Sequence, residues 1–117
     1  MATADPFAPV RRHCLATDGV TEKLSHGSPS FFARGTPSRS GPCFVMCMDD
    51  HHGDGILGLW IAAPAGAQQT FVTRDPETFF VPPYVGHRGW LGVRLDRSLA
   101  RDVLVDLLDE AHAAVRK

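Results

Sequence analysis

The sequence predicts an α+β fold of two layers, in which helices pack on one face of an antiparallel sheet. Residues 100–115 carry apolar side chains at spacings of three and four, the pattern of an amphipathic helix. Residues 43–48 and 56–63 are apolar runs on either side of a turn-rich segment, which is typical of a β-hairpin. The order helix, strands, short helix, strand, long helix lacks the regular alternation that builds a parallel sheet.

Helices are predicted near both ends of the chain. The first has Asp5 as its N-cap, Pro6 at the first helical position and Gly19 just past its end. The last has Asp96 as its N-cap, and its apolar stripe lies opposite a charged face. A weaker helix is expected within residues 64–74. The Asp-Pro pair that follows should end it, because a residue before proline disfavours helical backbone angles.

Two further strands complete the predicted sheet. Residues 30–34 form a short strand, and the Gly, Pro and Ser residues of the segment 35–42 indicate a surface loop. Residues 90–95 alternate, so that Leu91 and Val93 lie on an aliphatic face that should meet the helices.

Length and composition indicate a single domain over residues 1–117, with one hydrophobic core. No apolar run approaches the roughly 20 residues that a membrane span requires, and no secretory signal is recognised at the N-terminus. The 3 cysteines form an odd, unclustered set, which favours free thiols in a reducing compartment. We therefore expect a cytoplasmic protein without membrane association.

The net charge of -1 does not provide the strongly basic surface that usually accompanies nonspecific nucleic-acid binding. A local basic patch is still compatible with this value, since six arginines lie in the middle of the chain. They are Arg34, Arg39, Arg74, Arg88, Arg94 and Arg97.

The segment around Tyr84, His87, Arg88 and Trp90 is the first candidate site. A phenol, an imidazole, a guanidinium and an indole close together could stack on a base and bind a phosphate. The more ordinary interpretation is that Tyr84 and Trp90 anchor a loop onto the sheet while His87 bonds a backbone carbonyl.

Two other groups of residues could carry chemistry. Glu22 could orient His26 as an acid–base pair, but the pair lacks a nucleophile, and a turn histidine is the simpler interpretation. His51 and His52 lie among acidic residues, yet neighbours on an extended chain point to opposite faces and chelate poorly. We therefore expect no catalytic residues, no metal, no cofactor and no enzymatic activity.

Four segments of the chain together form a recognisable series: residues 19–22 (GVTE), 25–31 (SHGSPSF), 82–93 (PPYVGHRGWLGV) and 95–96 (LD). In this order they resemble the MmcQ/YjbR family. The resemblance implies a compact α+β domain related to the secretion-chaperone-like fold, and a double-wing surface proposed to bind DNA. The family's biochemical role is not defined. This chain departs from the pattern where relatives have a short glycine turn with lysine, because it has a long loop at residues 34–42.

Two functions follow as hypotheses. The first is a DNA-binding domain that uses arginines for phosphates and aromatic rings for stacking. Its predicted site residues are Arg34, Arg39, Tyr84, His87, Arg88, Trp90 and Arg94. The alternative is a protein-interaction or chaperone-like adaptor that presents an apolar sheet face or helix groove to a protein partner.

Overall fold

The computed structural model describes residues 5–116, which contain one mixed helical and sheet architecture. Its helices are α1 (Ala8–Ala16), α2 (Ala67–Arg74) and α3 (Arg101–Val115). Its strands are β1 (Thr21–Ser25), β2 (Ser28–Phe32), β3 (Cys43–Asp49), β4 (Leu57–Ile61), β5 (Phe79–Phe80) and β6 (Leu91–Arg94). The strands form one sheet in the order β1-β2-β3-β4-β6-β5, and every neighbouring pair is antiparallel. The predicted α+β fold is confirmed.

Both predicted N-caps are wrong. Helix α1 begins at Ala8, and the Asp5 carboxylate instead accepts a 2.9 Å hydrogen bond from the Phe7 N–H, in the turn before the helix. Helix α3 begins at Arg101 with Ala100 as its N-cap, and the carboxylate of Asp96 is held by the side chain of Arg94, with Nη2 to Oδ2 at 2.8 Å. In each case the acidic side chain binds a nearer donor than the orphan N–H groups of the helix.

The strand predictions are confirmed apart from their boundaries and two omissions. The hairpin is β3 and β4, the final strand is β6, and the predicted strand at residues 30–34 is β2, shifted toward the N-terminus. The weak helix candidate is α2. Strand β1 was not predicted because its sequence, TEKLS, lacks an apolar face, as suits a sheet edge. Strand β5 was not predicted because it has only 2 residues.

The helices cover one face of the sheet, which we call the helix face. Leu91 and Val93 are fully buried there, as their alternation predicted. Phe71 of α2, Leu107 of α3, Ile61 and Leu91 line the same small cavity, so both helices meet these strands. Helix α1 is joined to α3 by a 2.7 Å contact between His13 Nε2 and Asp109 Oδ1. The core therefore lies between these helices and this face.

All three cysteines are free thiols. Burial raises the pKa of Cys14 and of Cys47 to about 12, and it also raises the pKa of Cys43. These groups therefore remain protonated near neutral pH and pack as small apolar side chains.

In the described range 5–116, no helix is both long and apolar enough to cross a membrane.

Candidate functional site

The face of the sheet that the helices leave uncovered, which we call the open face, presents two rows of side chains. The pairing register runs one row straight across the sheet, through Lys23, Ser30, Met46, Trp60, Gly92 and Phe80. A second row contains Ser25, Ser28, Met48, Gly58 and Arg94. Most of these side chains are small or flexible, so the floor of the open face has room above it.

Three turns rise around this floor and enclose a pocket of about 630 Å³. His26 lies in the β1–β2 turn, His51 and His52 lie at the tip of the β3–β4 hairpin, and Tyr84 and Val85 precede β6. Ser25, Ser28, Met46 and Met48 provide the floor, and Trp60 lies beside them. We call this cavity the histidine pocket. Its volume lies within the range of sites that bind small organic ligands, roughly 300–1,000 Å³.

Aromatic rings form one wall of the histidine pocket. The His51 ring stands edge-on to Trp60, with centroids 4.9 Å apart, and to Tyr84, with centroids 5.9 Å apart. The His52 ring lies 4.0 Å from His51. Trp60 is 3% exposed while Tyr84 is 69% exposed, so the wall runs from the core to the mouth of the pocket. Such a wall can contact a flat ligand over a large area.

The turns around the pocket hold an unusual backbone. Within residues 5–116, the non-glycine residues with positive φ are His26 (52°), Asp50 (55°), His52 (50°) and Tyr84 (66°). Three of them line the pocket, and Asp50 directly precedes His51. The left-handed region costs roughly 1–2 kcal/mol for a residue with a Cβ. Residues held there tend to cluster at binding and catalytic sites.

The acidic residues of the hairpin tip stabilise the turn itself. Asp50 Oδ1 accepts a 2.7 Å bond from the Gly55 N–H, and Asp54 Oδ1 accepts a 2.9 Å bond from the Ile56 N–H.

No group of three or more candidate metal ligands is found among residues 5–116. The His51 Nε2 atom is buried and has no hydrogen-bond partner within the described chain. This nitrogen is a polar group that a ligand could satisfy.

Cationic side chains lie along the β1 edge of the open face. The Lys23 ammonium sits 5.8 Å from the centroid of the Phe32 ring and contacts Ser40 Oγ in the loop 35–42. Lys23, Arg34 and Arg39 line a shallow cavity of about 430 Å³ formed by this loop. Arg34, however, is already paired with Asp18, with Nη2 to Oδ2 at 2.6 Å.

The predicted cluster before β6 is only partly exposed. Arg88 lies over the Trp90 ring, with Cζ 5.4 Å from the centroid, and Trp90 is 4% exposed. The Gln68 amide donates to the carbonyls of Gly86 and Trp90, at 2.9 and 2.6 Å, which fixes the loop on α2. Trp90 is thus an anchor beneath the cation, while His87 and Arg88 are exposed.

The structure separates the predicted site residues into groups. Arg34 and Arg39 share the loop cavity, Tyr84 lines the histidine pocket, and Arg88 lies on Trp90. The guanidinium of Arg94 is bound to Asp96 by two hydrogen bonds of 2.9 and 2.8 Å, which leaves it little capacity for a phosphate.

The acid–base pair considered for Glu22 and His26 is not formed. The Glu22 carboxylate binds Arg11, with Oε1 to Nε at 3.0 Å, while His26 occupies the neighbouring turn. That carboxylate faces the helices because strand β1 alternates, whereas His26 lines the histidine pocket.

Sequence reasoning missed Trp60, Met46 and Met48 as site residues. One available signal was that β3 and β4 are apolar on both faces, which is expected only where both faces are covered. The sequence could not show that three turns, rather than a second layer of helices, cover the open face.

Comparisons with known proteins agree with this architecture. The YjbR family model matches residues 15–114. A solved structure with a similar fold is the crystal structure of Deinococcus radiodurans protein DR2400, which carries a DUF419 domain, with a TM-score of 0.77. The two chains share 17% identity, over 92% of this chain and 76% of that chain, so this likeness concerns the fold alone. A search of curated proteins gives no match. Since the family model spans most of the 117 residues, this chain belongs to the YjbR family.

Proposed function

We propose that this chain binds single-stranded nucleic acid along its open face. The observation that carries the proposal is that Lys23 lies on the open face and Tyr84 is exposed at the mouth of a pocket large enough for a base. Proteins that bind single strands combine a positively charged path for the phosphates with aromatic rings on which bases stack.

The phosphate contacts in this proposal come from Lys23, Arg39 and Arg88. Arg39 and Arg88 are exposed and have no ion-pair partner within residues 5–116. Arg34 and Arg94 play a smaller part, because a phosphate would have to compete with Asp18 and Asp96 for them.

Stacking in this proposal comes from Tyr84, whose ring is 69% exposed at the mouth of the histidine pocket. Trp90 supports the cation of Arg88 from below instead of stacking on a base. A single strand suits this surface better than a duplex, since a base must leave its stack to reach a pocket floored by a sheet.

The test is a fluorescence-anisotropy titration of labelled single-stranded and duplex DNA at low and high salt. We expect the single strand to bind more tightly and its affinity to fall steeply with salt. Arg88→Ala should weaken binding and reduce the slope of log K against log salt by about 0.7 for each phosphate that the variant no longer neutralises.

Arg101→Ala is the matched control, because Arg101 is exposed on α3 at the other side of the molecule. It should leave the affinity and the salt slope unchanged. Equal losses in Arg88→Ala and Arg101→Ala would refute a defined binding face. Undetectable binding of both DNA forms at low salt would refute the function itself.

A protein-interaction adaptor is the second candidate, and edge strand β1 is what favours it. Leu24 on this strand is 74% exposed, and an uncovered edge can accept a strand from a partner. A Leu24→Lys variant that loses a co-purifying partner, in a protein that binds no DNA, would favour this candidate over the first.

A further inference from the structure

We propose that the histidine pocket binds a neutral, planar heteroaromatic ring that carries both hydrogen-bond donors and acceptors, such as a nucleobase. Both proposals use the histidine pocket, but the nucleic-acid proposal also needs the cations at the β1 edge and Arg88, whereas this inference needs the pocket alone. A base attached to no phosphate should bind there, so the inference does not rest on the proposed function.

The shape and lining of the pocket favour a flat ring. Its volume is about 630 Å³, and its walls include Trp60 and Tyr84, whose centroids lie 6.3 Å apart. Met46 and Met48 on the floor are flexible and make favourable contacts with aromatic rings. A ring seated on this floor would gain contact area from both sulfurs and from the indole.

The unpaired nitrogen of His51 favours a ligand that forms hydrogen bonds. His51 Nε2 is buried without a partner in the described chain, and it can donate or accept according to the tautomer. A pure hydrocarbon would leave this nitrogen as unpaired as it is in the free protein, whereas a hydrogen-bonding ligand can satisfy it. A heteroaromatic ring with both donors and acceptors can satisfy either tautomer.

The charge of the pocket favours a neutral ligand. The described residues that line it include no Asp, Glu, Lys or Arg. A phosphate or a carboxylate would therefore lack a cation inside the pocket, and an ammonium group would lack a carboxylate there. Phosphates belong instead to the cationic β1 edge and to Arg88.

The backbone of the turns supports the same assignment. His26, His52 and Tyr84 all adopt positive φ and all line the pocket, although they come from three different turns. Glycine would remove the steric cost that positive φ imposes on a residue with a Cβ at each position. Imidazole and phenol side chains at such positions are consistent with a function that needs these rings at the mouth of the pocket.

The first experiment is a titration of Trp60 fluorescence with adenosine and with cytidine, with ribose as the ring-free control. A Trp90→Phe background leaves Trp60 as the single tryptophan, since the chain has 2. We expect a saturable change with a nucleoside and none with ribose. Saturation-transfer NMR on the wild-type protein gives the same answer without any substitution, in case Trp90→Phe does not fold.

The decisive variant is His51→Phe, which keeps an aromatic ring against Trp60 but removes Nε2. It should weaken nucleoside binding by about tenfold, the effect of losing one hydrogen bond to a buried group. His87→Phe is the matched control, because His87 is exposed and does not line the pocket. Equal weakening by both substitutions, or equal signals from ribose and nucleosides, would overturn the proposal.

Two sources could supply the ring, a free nucleoside or a base within a strand, and the two titrations separate them. Saturable nucleoside binding without DNA binding would support the pocket and refute the nucleic-acid function. DNA binding without any nucleoside signal, in either the fluorescence or the NMR experiment, would refute the pocket and leave the nucleic-acid function standing.

Discussion

The two faces of the sheet are built from the same strands but differ in nearly every physical respect. On the helix face, Leu59, Ile61, Leu91 and Val93 are each no more than 1% exposed, and the helices close over them. On the open face, serines and methionines form the floor of a cavity of about 630 Å³ beneath three turns. Because successive side chains of a strand point to opposite faces, the same strands can build both faces of the sheet.

The difference indicates that the helix face provides most of the stability, whereas the open face provides the candidate binding site. The helix face buries aliphatic surface, which is the dominant favourable contribution to folding. The open face instead contains positive φ angles at non-glycine residues and the unpaired His51 nitrogen, each of which lowers the stability of the fold. We infer that burial on the helix face stabilises the fold enough to offset the unfavourable backbone angles and the unpaired nitrogen of the open face.

The largest expected effect is on the helix face. Leu59→Ala should lower the free energy of unfolding by about 2–5 kcal/mol, because a fully buried leucine would leave a cavity. Urea denaturation measures this change. Leu24→Ala, at a position that is 74% exposed, is the control and should change stability by no more than about 0.5 kcal/mol. Similar losses of unfolding free energy in the two variants would contradict the assignment of stability to the helix face.

The next effect appears at alkaline pH. Unfolded thiols ionise near 9.0, whereas burial keeps Cys14 and Cys47 protonated to about 12. Between these values the unfolded state binds fewer protons, so the free energy of unfolding should fall as pH rises. Urea denaturation across this pH range measures the slope.

Cys14→Ala and Cys47→Ala should each flatten that slope by removing one buried thiol. Cys43→Ala should flatten it less, because Cys43 is only partly buried and the hydrogen bond to the Val45 backbone and the charge of Arg88 oppose the rise in its pKa. If all three variants keep the wild-type slope, the thiols are not the cause of the alkaline loss.

The smallest expected effect concerns strain at the pocket. His52→Gly should give a protein about 1 kcal/mol more stable than His87→Gly, since only His52 has a positive φ to relieve. Thermal and urea denaturation of the two variants provide the comparison. Equal stabilities would show that the left-handed backbone at the hairpin tip costs little.

Much of the fold could be predicted from the sequence, because local patterns encode it. The helical spacing of apolar residues in α3 and their alternation in β6 indicate which side chains are buried, and both patterns can be seen in the sequence. The N-caps Asp5 and Asp96 were predicted wrongly, because each carboxylate had a competing local donor that propensity does not reveal.

What the sequence determined by itself was the pattern of apolar residues, and with it the strands, the helices and the resemblance to the YjbR family. Only the tertiary structure decided that His26, His51 and Tyr84 meet around Trp60. These residues lie on separate turns, and they come together only when β2 pairs with β3 across residues 33–42 and β4 pairs with β6 across residues 62–90. The local pattern of each strand does not specify which strands become neighbours, so the histidine pocket forms only when the sheet is assembled.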